Sequence, residues 1–216
     1  MSIAELSSTS ETDDVVVLHW ISWEHYLALR KMRRNRHVHM TYDRGELQIM
    51  SPSRRQERLV VLLGMLIDVW AEEKNIPMQS CRTMTILRKA LKRGFEPDNC
   101  YYVQNEPRVF GKAKLNFAVD PPPDLAIEVE LRSGASKVAI YQSFGVPELW
   151  RVLEGQIHVL ILSEQHVYFP QASSVCFPGF PLEKAVEVLR QMDSVGQTKL
   201  VRSFRAWVRS NCGEAI

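Results

Sequence analysis

Between Asp124 and Leu131 the chain alternates strictly. Asp124, Ala126, Glu128 and Glu130 stand at one parity, and Leu125, Ile127, Val129 and Leu131 at the other. A period of two is the period of a strand, and three prolines at 121–123 keep a helix from running into it. One face of that strand is apolar and must be buried, while the other gathers three carboxylates. Helical patterns on both sides in sequence make it a central strand, and a central strand rarely carries unpaired carboxylates. Like charges this close repel unless a cation neutralises them. A hard divalent ion held by oxygen ligands is one solution. An edge strand decorated with charge and facing water is the other.

Around this strand the pattern is of interleaved strands and helices, which indicates an α/β fold: a mixed central β-sheet flanked by helices. "VVVLHW" reads as a strand, and "SWEHYLALRKM" as a helix with Ser22 as N-cap. "HVHMTY" and "ELQIM" read as a hairpin turning at Asp43-Arg44-Gly45. The longest helical pattern covers 54–74, apolar nearly all round, which calls for cover on more than one side by a sheet and a second subunit. "IPMQSCRTMTIL" and "PDNCYYV" read as strands, and a helix is expected over 135–144. "ELWRVL", "QIHVLIL" and "HVYF" read as further strands, followed by helices over 182–192 and 199–209. A single domain over 15–210 is expected, with polar tails at 1–14 and 211–216.

The chain of 216 residues carries a formal net charge of only +2, so bulk electrostatics do not announce a nucleic-acid binder. The cations are clustered, however: Arg30, Lys31, Arg33, Arg34 and Arg36; Arg54, Arg55 and Arg58; Arg88, Lys89, Lys92 and Arg93. Cys81, Cys100, Cys176 and Cys212 have no metal-ligand spacing and read as reduced thiols of a cytoplasmic protein. No secretory pattern opens the sequence, and no apolar run is long enough to span a membrane.

Lys137 shares the inward face of the following helix with Ile140, Tyr141 and Phe144. A cation in a helix's first turn meets the unfavourable end of the dipole, so either the strand's carboxylates compensate it or its head reaches solvent. Glu57 opens the long helix, where an acid suits the dipole without any further role. Asp98 follows Pro97 at a strand start, a pair that turns also use.

Taken together, "YDRGELQIMSPS", "GFEPDNCYYV", "PPPDLAIEVELRSGASKVAIYQSFGVPELWRV" and "SFRAWVR" resemble the Uma-two family of endonucleases, within the PD-(D/E)XK superfamily. The resemblance runs from about Trp23 to Arg209. It implies a restriction-endonuclease-like fold and hydrolysis of phosphodiester bonds with Mg2+ or Mn2+, on nucleic acid and most naturally on DNA. It also implies that Asp98 and Glu128 ligate the metal together with the Val129 carbonyl, and that Glu57 is the helix acid near the same ion. Two departures stand out. The superfamily lysine two residues after the second acid is Glu130 here, so Lys137 is expected to supply a migrated ammonium, with Glu130 as an extra acid. The histidine that often precedes the helix acid is Gln56. These departures keep open an alternative, a nuclease fold retained for binding nucleic acid or protein without catalysis. Cleavage of both strands of a duplex implies a homodimer.

Overall fold

The computed structural model describes residues 14–32, 38–130, 137–211 and 213. Residues 1–13 of the tail expected at 1–14 and most of that at 211–216, together with Arg33, Arg34, Arg36, Leu131 and the start of the helix expected at 135, lie outside the described residues; Asp14 already belongs to a strand.

The central strand forms as its alternation requires. β8 (Leu125–Glu130) pairs antiparallel with β7 (Asn99–Tyr102) and parallel with β9 (Glu148–Leu153). β4 (Gln79–Ser80), β10 (Gln156–Leu162) and β11 (Tyr168–Gln171) complete a six-stranded mixed sheet in the order β11-β10-β9-β8-β7-β4. Its one parallel pair needs a crossover, and the connection after β8 supplies it through α4 (Val138–Phe144).

The apolar face of β8 packs Leu125, Ile127 and Val129 against α2 (Arg54–Glu73), and α5 (Leu182–Arg190) and α6 (Gln197–Asn211) pack against α2 in turn. Much of the apolar surface of α2 is therefore covered within the chain, by a sheet and two helices, while Leu59, Val60, Val61 and Met65 stay half-buried. The hairpin around Trp150 is likewise closed by Phe177 and Phe180.

A second sheet was not legible in the sequence. β1 (Asp14–Leu18), β2 (His39–Asp43), β3 (Glu46–Ser51), β5 (Ile86–Arg88) and β6 (Arg93–Phe95) form an antiparallel sheet in the order β1-β3-β2-β6-β5. The run "IPMQSCRTMTIL" is thus two strands in two sheets; the chain passes between them through Arg82, at a φ of 48°. The basic stretch after it is a hairpin tip whose second strand, β6, returns along β5. α1 (Trp23–Lys31) is capped by the Ser22 hydroxyl, which accepts from the His25 amide at 3.1 Å, and it packs Trp23 and Tyr26 on Met40, Tyr42 and Leu47. A short helix, α3 (Glu106–Val109), follows β7. Among the described residues no helix is long and apolar enough to cross a membrane.

The two sheets meet over the acidic face of β8. Ile86 and Phe95 from the second sheet, with Ile140, Tyr141 and Phe144 of α4, pack around Ala126 and Leu149. The carboxylate face is therefore neither an open edge nor a solvated surface. It is the floor of a covered cleft.

Candidate active site

The β7–β8 register pairs Asn99 with Ile127. One step further, Asp98 lies opposite Glu128, and opposed residues point to the same face of the sheet. Pairing thus brings together two acids thirty positions apart. Both are buried, with 4% of Asp98 and 3% of Glu128 exposed. Lys137, the last residue before α4, places its ammonium 2.9 Å from Glu128 Oε2, and the Tyr141 hydroxyl donates to Oε1. Burial raises the Glu128 carboxyl above its usual range; Lys137 opposes this, and Asp98 adds to it. Burial lowers the Lys137 ammonium, but Glu128 and Asp98 outweigh that and leave it raised, so it stays charged. A cation at a helix N-terminus is tolerated here because two carboxylates surround it.

Asp98 is held on several sides. Its Oδ2 accepts from the Val129 amide at 2.7 Å and from Gln56 Nε2 at 3.2 Å, while His39 Nδ1 stands 3.2 Å from Oδ1. The His39 approach lies off the line of a hydrogen bond. Burial lowers the imidazole, and Asp98 more than restores it, so its pKa sits above the ordinary histidine value. Gln56 Nε2 also donates to the Val129 carbonyl at 3.0 Å, which leaves Gln56 Oε1 buried without a hydrogen-bond partner. Sequence reasoning treated Gln56 only as an absent histidine, whereas the fold makes it a bridge between Asp98 and the Val129 carbonyl.

The other expected site residues are placed differently. Glu130 is gripped by Arg151, Nε to Oε1 at 3.0 Å and an Nη to Oε2 at 2.8 Å. Its charge reaches Lys137, but its oxygens belong to a bidentate pair across the parallel β8–β9 ladder. Asp124, the third acid of the stretch, ties the turn after β7 by accepting from the amides of Val103 and Asn105, both at 2.8 Å. Glu57 is exposed on the first turn of α2. It lines a cleft of about 730 Å³ with Arg30, Thr83, Thr85, Glu96 and His39, the imidazole that stands beside Asp98.

His39, Tyr141 and Glu96 are the residues the sequence did not flag as a set. Only the β2–β6 pairing, in the second sheet, brings His39 beside Asp98 and the Met40 amide onto Glu96 Oε2 at 3.1 Å. Among the described residues, several of the clustered arginines are already engaged. Arg30 donates to Thr85, Arg55 and Arg58 reach Asp193, Arg88 donates to the Phe117 carbonyl, and Arg93 pairs with Asp43. Arg54, Lys89 and Lys92 are exposed.

The family model described as "Putative restriction endonuclease", Uma2, matches residues 23–190. The chain belongs to the Uma2 family. Among solved structures it is similar to "a putative nuclease belonging to DUF820" from Anabaena variabilis ATCC 29413, at 12% identity over 86% of this chain and 99% of that one, with a TM-score of 0.48. No curated protein matches the sequence.

Among the described residues no three His, Cys, Asp or Glu side chains are grouped as a metal cage. The donors present nevertheless suit a hard ion that keeps part of its water shell, which needs only one or two carboxylates from the protein. Asp98 and Glu128 supply those. The orphaned Gln56 Oε1 beside them is a buried acceptor that an ion would satisfy.

Proposed function

We propose that this Uma2 protein is a divalent-metal-dependent endonuclease that hydrolyses phosphodiester bonds of DNA. The observation that carries the reading is the Lys137 ammonium seated on Glu128, with Asp98 on the paired strand: two acids and a lysine in one buried cluster. Asp98 and Glu128 would hold Mg2+ or Mn2+, with the Val129 carbonyl and Gln56 Oε1 as neutral oxygens. Such an ion supplies Lewis-acid polarisation of a phosphate and a more acidic bound water.

The chain's own groups have separable tasks. Lys137 would orient the attacking water and stabilise charge developing on the phosphate. Gln56 and the Val129 amide fix the Asp98 carboxylate, leaving little reorganisation for the reaction itself. Glu57, at the cleft mouth, would position solvent, and Glu130, locked by Arg151, adds negative potential behind Lys137. Arg54, Lys89 and Lys92 would contact phosphates without reading sequence.

The competing reading, a nuclease fold used only for binding, is favoured by one feature. Lys137 and Tyr141 already engage both Glu128 oxygens. Plasmid nicking with Mg2+ and Mn2+, run beside calorimetric ion titration, separates the two. Metal-dependent cleavage by wild type that is lost in Asp98→Asn and Glu128→Gln is expected. Equal nicking by all three proteins would rule out this site, and absence of both ion uptake and cleavage would leave the binding-only reading.

A further inference from the structure

Immediately behind the acidic pair, the same sheet carries two cysteines. β4 pairs with β7 through Gln79 opposite Tyr102 and Ser80 opposite Tyr101. The next step puts Cys81 opposite Cys100, and the Cys81 amide donates to the Cys100 carbonyl at 2.9 Å. Opposed residues share a face, with Cα atoms about 5.5 Å apart in a hydrogen-bonded pair. That separation is within the span a disulfide bridges. Both are free thiols; Cys81 is half-buried and reachable, while Cys100 is fully buried, its sulfur 3.3 Å from the Arg82 carbonyl. Cys100 also lies two residues from Asp98, on the same side of β7.

We propose that Cys81 and Cys100 form a reversible dithiol–disulfide site, oxidised by a hydroperoxide such as hydrogen peroxide. The Cys81 thiolate attacks one peroxide oxygen, the O–O bond breaks, and the leaving hydroxide takes a proton to become water. The resulting Cys81 sulfenic acid is attacked by the Cys100 sulfur, which forms the S–S bond. The Cys100 proton and the sulfenic hydroxyl leave as a second water. Two thiols are oxidised by two electrons and one peroxide is reduced to two waters. Cys81 suits the attacking role, being the half-buried member of the pair that a dissolved peroxide can reach. Cys100 suits the resolving role, being hidden from bulk oxidant and held against its partner. A disulfide across a hydrogen-bonded strand pair is more strained than one across a non-hydrogen-bonded pair, and strained disulfides are the reducible, labile kind.

Cys176 is the internal control. Burial raises its thiol, and its amide is bonded to Glu148 on another part of the sheet. The test is peptide mapping by mass spectrometry of the full native chain after brief hydrogen peroxide treatment and blocking of remaining thiols. A peptide pair linking Cys81 to Cys100, lighter by two hydrogens and released by dithiothreitol, is expected, with Cys176 still blocked as a thiol. In Cys81→Ser the link should vanish and Cys100 should remain reduced. A disulfide from either residue to Cys176 or Cys212, oxidation of Cys81 straight to sulfinic acid without a link, or two unreacted thiols would each overturn the proposal. The readout needs no nuclease activity, so it stands or fails independently of the proposed function.

Discussion

The three carboxylates at one parity of the acidic stretch have three different partners. Asp124 pins the turn after β7, Glu130 is held by Arg151, and Glu128 is the one in contact with the Lys137 ammonium. Removing one member of a buried ion pair leaves an uncompensated charge, a loss of about 3–5 kcal/mol, whereas replacing both with neutral groups is often harmless. Lys137→Met should therefore destabilise the protein by an amount of that order in urea titration, and the double variant Lys137→Met/Glu128→Gln should recover most of it. If the double variant is as unstable as the single one, the pair is not what holds these groups. The same reasoning makes Glu128→Gln and Asp98→Asn better catalytic probes than alanine. Alanine at 98 would strand the Val129 amide in a buried site, at about 1–3 kcal/mol, and take one of the two acceptors of Gln56 Nε2.

At the level of elements, the second sheet is what brings His39 to Asp98, and two features hold it in place. β6 passes so close to α1 that a Cβ on Gly94 would collide with the Leu87 side chain and lie 2.6 Å from the Tyr26 hydroxyl. Tyr26 is fully buried and has nowhere to retreat. Gly94→Ala should cost about 1–3 kcal/mol through overpacking, measurable as a lower denaturation midpoint; an unchanged midpoint would mean that α1 yields. The second feature is the Asp43–Arg93 pair between β2 and β6, with Arg93 Nε at 2.8 Å and an Nη at 3.2 Å. Burial raises the Asp43 carboxyl, but Arg93 and Arg44 outweigh it and hold its pKa below the usual value. A depressed carboxylate stabilises the fold above the unfolded pKa of about 4 and loses that contribution as pH falls through the folded value. Asp43→Asn should accordingly lower stability by up to about 1 kcal/mol at neutral pH, and the gap to wild type should close in acid. A gap that widens below pH 4 would contradict the assignment.

For the whole molecule, the expectation of a homodimer draws less on α2, since α5 and α6 pack against it. The remaining candidate surface is β1, an outer strand of the second sheet, where Val15, Val16, Val17 and Leu18 are exposed and Trp20 is 97% exposed. An apolar edge of that kind is a template for pairing with another chain. A dimer mass by sedimentation equilibrium is expected, converted to monomer in Val16→Lys/Trp20→Ser; a monomeric wild type would remove this part of the proposal. What the sequence determined on its own is what short-range periodicity encodes, because the face a helix or strand buries is written in residues a few positions apart. The alternating strand became β8, the long apolar pattern at 54–74 became α2 at Arg54–Glu73, and the turn at Asp43-Arg44-Gly45 joined β2 to β3. Family resemblance then singled out Asp98, Glu128 and Lys137. Only the tertiary structure decided that the strands divide between two sheets, that Arg151 takes Glu130, that His39, Gln56 and Tyr141 close around the acids, and that Arg30, Arg55, Arg58, Arg88 and Arg93 have partners within the chain. Those outcomes depend on which distant segments pack together, and the field at a buried charge is set by neighbours far away in the chain, where no local pattern reaches.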